Sequence, residues 1–173
     1  MIKRLTKGRL LFLLLIALVA NASADLPTRL SPLMDAPELQ LLDMGGQTVS
    51  LSELSGKVVL INFWATWCPP CLKELPSMQR LWESFEGQPF RLLAVNVGEG
   101  HDDIFAFTGT FETELTFQFL LDESMAVTRR WPITALPTTF IVNKQGQIVS
   151  KVLGEKDWGN KDVAQQIRDL IDQ

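Results

Sequence analysis

The run Val58-Val59-Leu60-Ile61-Asn62-Phe63-Trp64 leads within four residues into Cys68-Pro69-Pro70-Cys71, and this junction constrains the fold more than any other feature. A strand with one wet face alternates polar and apolar residues. This one is apolar on both faces, as a strand covered on both sides of an α/β sheet must be. Pro69 and Pro70 then suit the first turn of a helix, where a missing N–H costs nothing. Leu72, Leu75, Met78, Leu81, Trp82 and Phe85 recur at helical spacing, and Gly87 stops the run. Pro76 falls inside that helix and predicts a kink.

The flanking segments extend the pattern. Residues 39–42 and 48–51 enclose Asp43-Met44-Gly45-Gly46 and predict a β-hairpin. Residues 91–97 read as a second buried strand, ending at Gly98-Glu99-Gly100. A helix is expected over 102–111, a strand over 117–121 and a short helix over 123–130. Residues 138–143 and 147–153, joined by Lys144-Gln145-Gly146, form an antiparallel hairpin. An amphipathic helix over 158–171 closes the chain, with Val163, Ile167, Leu170 and Ile171 turned inward. The order defines an α/β sandwich around a mixed sheet.

The N-terminus has a different character. Lys3, Arg4, Lys7 and Arg9 precede an unbroken apolar run at 10–20, and Ala22-Ser23-Ala24 follows. Residues 1–24 are therefore expected to be a cleaved export signal that delivers the protein outside the cytoplasm, to the periplasm; a retained membrane anchor is the alternative. Residues 25–37 read as a linker and 38–173 as one domain. The formal net charge is −4, and losing a basic signal makes it more negative. An acidic body without a basic cluster excludes nucleic acid and anionic lipid as partners.

The two cysteines, two residues apart, close a loop too small to add much stability, because the entropy removed from the unfolded chain grows with loop length. Chemistry explains them better. Disulfide exchange needs one accessible sulfur that can be a thiolate and a second that can reach it. At a helix start Cys68 takes the first role, at the positive end of the dipole, and Cys71 the second, one turn in. A zinc site wants four ligands, and His101 is the sole histidine, so no metal is expected.

Phe63-Trp64-Ala65-Thr66-Trp67-Cys68-Pro69-Pro70-Cys71, with Leu136-Pro137-Thr138-Thr139-Phe140 downstream, resembles the TlpA/ResA/CcmG (DsbE) group of thioredoxin-like proteins. The resemblance implies a thioredoxin-like fold with an N-terminal β-hairpin and an inserted strand–helix. It implies an extracytoplasmic protein disulfide reductase, often serving c-type cytochrome maturation, that needs no cofactor. Its clients would be protein thiols and disulfides, apocytochrome c among them or a wider set. Its electrons would come from a membrane thiol carrier, and the chain would act as a monomer.

By the same resemblance Pro137 is a cis proline beside the disulfide, and the backbone of Leu136 is open to an extended substrate. Glu99 is an acidic residue near the cysteines that exchanges a proton with Cys71. Asn62 replaces the buried aspartate of ordinary thioredoxin, which moves proton transfer toward Glu99. Trp67 is either a substrate contact, a lid over the sulfur or a stacked structural residue. Trp64, Trp82, Trp131 and Trp158 are expected to be packing residues, and His101 an ordinary surface histidine. A peroxidase on the same fold is the rival activity, but Ile61 and Ala65 stand where it needs a proline and a threonine.

Pro69 and Pro70 remove two N–H groups that would stabilise a Cys68 thiolate, and no cation lies inside the motif. The pair should prefer to be oxidised and therefore reduce its partners. Equilibration with glutathione is expected to give a reducing potential; one near that of a dedicated oxidant, about −120 mV, contradicts this.

Overall fold

The computed structural model describes residues 28–173. Eight strands are present among the described residues: β1 (Thr28–Asp35), β2 (Gln40–Asp43), β3 (Thr48–Ser50), β4 (Val58–Trp64), β5 (Phe90–Val97), β6 (Gln118–Asp122), β7 (Thr138–Val142) and β8 (Gln147–Leu153). They form one sheet in the order β1-β8-β7-β4-β5-β6-β2-β3. β4, β5 and β6 run parallel and the remaining neighbours antiparallel. Helices α1 (Pro69–Glu83), α2 (His101–Thr108) and α3 (Lys161–Ile171) complete the α/β architecture.

All seven residues of β4 are buried. Side chains alternate across a strand, so β4 feeds two cores. Val58, Leu60 and Trp64 join Cys71, Leu75, Met78 and Leu81 of α1, Ile104 of α2, and Val163, Ile167 and Leu170 of α3. Val59, Ile61 and Phe63 join Val95, Phe140, Val142, Leu39 and Trp131 on the other face. The cysteine helix is thus pressed onto the sheet by its own apolar stripe. Asn62 points the same way as Leu60 and Trp64, toward that helix.

The expected hairpin is β2–β3, which extends the sheet beyond β6. Four expectations are corrected. Residues 25–37 are not linker throughout, because β1 pairs with β8 along the sheet edge. Residues 123–130 form no α-helix. Met125 sits at φ 56, which a helix cannot hold, and the carboxylate of Asp122 accepts the N–H groups of Val127 and Thr128. Only a single tight turn at Thr128–Arg130 remains. The helix expected over 102–111 stops at Thr108, where Thr110 turns its hydroxyl back onto the Phe107 carbonyl. The last helix starts at Lys161 rather than 158, because Asn160 caps it through the Asp162 N–H and Trp158 is bonded elsewhere. α1 continues through Pro76. The export signal at 1–24 lies outside the described residues, among which no helix is long and apolar enough to cross a membrane.

Candidate active site

Cys68 is the N-cap of α1, with Pro69 and Pro70 at its first two positions. Its N–H donates to the Ala65 carbonyl at 3.2 Å and its carbonyl accepts from the Leu72 N–H at 3.2 Å. A disulfide joins it to Cys71. Cys68 keeps 5 % of its surface and Cys71 none, so an incoming thiolate has only the first sulfur to attack. Trp67 beside it is 67 % exposed, which does not suit a stacked, structural residue.

The Leu136–Pro137 bond is cis. Phe63 pairs with Thr138 across β4 and β7, so Pro137 lies alongside the end of β4, where the chain departs for Cys68. The Pro137 carbonyl accepts from Gly154 N–H at 2.9 Å, next to the exposed Leu153. Leu136 is partly buried against both cores.

Glu99 follows Gly98, whose φ of 80° turns the chain sharply at the end of β5. Its carboxylate accepts from the Thr66 N–H at 2.8 Å, the Thr66 hydroxyl, and the Asn96 amide at 2.7 Å. These bonds pin the loop that carries Trp67 and Cys68 to β5. His101 opens α2 at the surface, against Asp102 at 3.2 Å and stacked on Phe105. Among the described residues no group of three acidic, histidine or cysteine side chains is arranged to hold a metal.

A second carboxylate, missed in the sequence, is closer to Cys71 along the helix. Glu74 stands three positions after Cys71, which places both on one face of α1, a turn apart. It is 1 % exposed. Its Oε1 accepts from the Asn62 amide at 2.7 Å; its Oε2 accepts from the Trp158 indole N–H at 3.0 Å and the Lys156 backbone N–H at 3.2 Å. The Asn62 amide also donates to the Thr139 hydroxyl at 2.9 Å, while its carbonyl oxygen has no partner among the described residues. Asn62 therefore links to Glu74, not to Glu99. Burial raises the Glu74 carboxyl to about 7, because desolvation outweighs the Trp158, Asn62 and Lys156 bonds, and Glu155 adds negative charge nearby. The signal was present: an acid within the stripe Cys71, Leu75, Met78 has to face inward.

Residues 33–151 match the AhpC/TSA family. The ResA thiol–disulfide oxidoreductase of Bacillus subtilis (strain 168) is 39 % identical over 120 residues, which cover 69 % of this chain and 66 % of that protein. That of Geobacillus kaustophilus (strain HTA426) is 38 % identical over 119 residues, covering 69 % and 67 %. The chain thus spans about two thirds of the length of these relatives. The StoA structure from Bacillus subtilis superposes with a TM-score of 0.62 at 25 % identity, covering 78 % of this chain and 96 % of that one. The chain belongs to the AhpC/TSA family of thioredoxin-fold proteins. Within it, the chain stands with the ResA-like thiol–disulfide oxidoreductases, the group its two motifs resemble.

The titration of Glu74 sets a stability trend. The folded protein holds this proton up to about pH 7, whereas an ordinary glutamate releases it near 4.5, so stability falls as pH rises through that window. Oxidised Glu74→Gln, followed by urea unfolding from pH 5 to 8, should lose this slope. It should gain on the wild type by about 3 kcal/mol at pH 8. Parallel curves for the two proteins contradict the assignment.

Proposed function

We propose that this chain reduces protein disulfides outside the cytoplasm, with Cys68 as nucleophile, Cys71 as resolving thiol and Glu74 as the proton acceptor for Cys71. The observation that carries the reading is a buried carboxylate, tuned near neutral pH, one turn beneath a fully buried sulfur. A base works best when its proton affinity matches the working pH.

The steps balance. The Cys68 thiolate attacks one sulfur of the client disulfide, forming a mixed disulfide and expelling the client's other sulfur as a thiolate that takes a proton from water. Cys71 passes its proton to Glu74 and attacks the Cys68 sulfur, which expels the second client sulfur as a thiolate that takes a proton from water; Glu74 returns its proton to Cys71 when the pair is reduced again. The product is the Cys68–Cys71 disulfide described above. Two electrons have moved to the client, and an external thiol donor, read here as a membrane thiol carrier, restores the pair. A carboxylate has about four acceptor positions; three are taken, and one on Oε1 is left for the proton. Once protonated, Glu74 needs an acceptor instead of a donor, and a half-turn of the Asn62 amide supplies one.

Glu99 has a different part. It fixes the Thr66 loop and so the place of Trp67 and Cys68, rather than exchanging protons with Cys71. The exposed Trp67, next to Cys68 in sequence, and the cis Leu136–Pro137 segment are assigned to receive an extended client chain. The export pattern at 1–24 supports action in the periplasm, and the motif resemblance favours apocytochrome c as client over a general range of thiols.

Trapping tests this. Cys71→Ser, expressed in the native host, should accumulate mixed disulfides through Cys68, with apocytochrome c peptides identified by mass spectrometry. A variant that captures no protein contradicts the reductase reading, and one that captures many unrelated proteins contradicts the cytochrome assignment.

A further inference from the structure

Three buried tryptophans behave differently. The indole nitrogens of Trp64 and Trp131 have no hydrogen-bond partner among the described residues, so burial of an indole there does not by itself recruit an acceptor. Trp158, with no exposed surface, directs its N–H to Glu74 Oε2 at 3.0 Å. It is gripped a second time through its backbone, whose N–H donates to the Ser77 hydroxyl at 3.0 Å, and that hydroxyl donates in turn to the Glu74 carbonyl at 2.7 Å. The segment 155–158 between β8 and α3 is therefore fastened to α1 at the very residue that lies beneath Cys71. Exposed ion pairs, Lys73–Glu155 at 3.6 Å and Arg80–Asp157 at 3.4 Å, reinforce the fastening.

A packing residue needs only shape. Trp158 does more, because its N–H meets one chosen oxygen of a carboxylate. We propose that Trp158 is a positioning residue for the reaction: its indole N–H, with the Lys156 N–H, occupies Glu74 Oε2 and so leaves Oε1 as the oxygen that takes the Cys71 proton. The proposal rests on the reading of Glu74 as that acceptor. α1, β4 and the 155–158 segment place groups around Glu74. On α1 there is Cys71, with Lys73 and Arg80 turned to Glu155 and Asp157. Asn62 of β4 donates to it and also to Thr139 of β7, and both are uncharged. The 155–158 segment contributes Glu155, whose negative charge opposes ionisation of Glu74, and two N–H donors that favour it.

A donor bonded to a charged acceptor favours the charged form, so removing it raises proton affinity. The test uses oxidised protein, in which neither cysteine titrates, and follows the Glu74 carboxyl carbon by NMR against pH. Trp158→Phe removes the N–H and part of the ring. Replacing Trp158 by β-(3-benzothienyl)alanine keeps the ring's shape and removes only the N–H, which covers the case in which phenylalanine packs poorly. Both are expected to raise the Glu74 midpoint by about one pH unit, a tenfold change in proton affinity. In reduced protein, the pH profile for resolving a mixed disulfide on Cys68 should move up with it. A midpoint unmoved in the benzothienyl variant overturns the proposal and leaves Trp158 a packing residue, whatever happens to its melting temperature. The underlying reading fails separately: Glu74→Gln would then resolve the mixed disulfide with the wild-type profile, however Trp158 behaves.

Discussion

A carboxylate shut away from water beneath a cysteine is costly unless its environment is built for it, and the rest of this site is arranged around that cost. Burial alone would keep Glu74 protonated through neutral pH. Three N–H donors, one from β4 and two from the segment before α3, bring it down to about 7. Neither influence alone gives a group that both accepts and returns a proton near neutrality. The balance requires α1, β4 and the β8–α3 segment to meet at one point. The fold provides this because β4 and α1 are consecutive and α3 packs on the same face.

The two acids divide the work by position. Glu99 sits nearer the surface and ties the Thr66 turn, which leads into the exposed Trp67, to β5. Glu74, in the proposed cycle, holds the proton at the buried end, one helical turn from Cys71. Exchange chemistry has the same asymmetry, since the attacking sulfur must be reached by another protein and the resolving sulfur must not. The slight exposure of Cys68 against none for Cys71 expresses it in the oxidised state.

The sheet core was legible because β4 and β5 are mostly apolar runs of strand length, and because the turn Lys144-Gln145-Gly146 joins β7 and β8 as a hairpin. The redox pair was legible because its spacing and its place at a helix start leave little else for it to do. Helix ends were less so. Residues 123–130 carry helix-forming side chains, yet the Asp122 carboxylate captures their N–H groups, a contact that depends on where β6 ends. β1 was hidden because Ser31-Pro32 interrupts its pattern and its pairing with β8 spans more than a hundred residues. Glu74 was overlooked for a similar reason. Its donors, Asn62 and Trp158, are 12 and 84 residues away in sequence, and Trp158 reads as a packing residue until its indole is seen to face a carboxylate.

The central claim is that Glu74 takes the proton of Cys71, and single-turnover resolution of a mixed disulfide preformed on Cys68 tests it most directly. In the wild type, the rate should inflect near pH 7 as Glu74 becomes able to accept. In Glu74→Gln the rate should be slower and the inflection gone, while alkylation of Cys68 is unchanged. If the glutamine variant resolves at the wild-type rate with the same pH profile, the carboxylate beneath Cys71 is structural and the account is wrong.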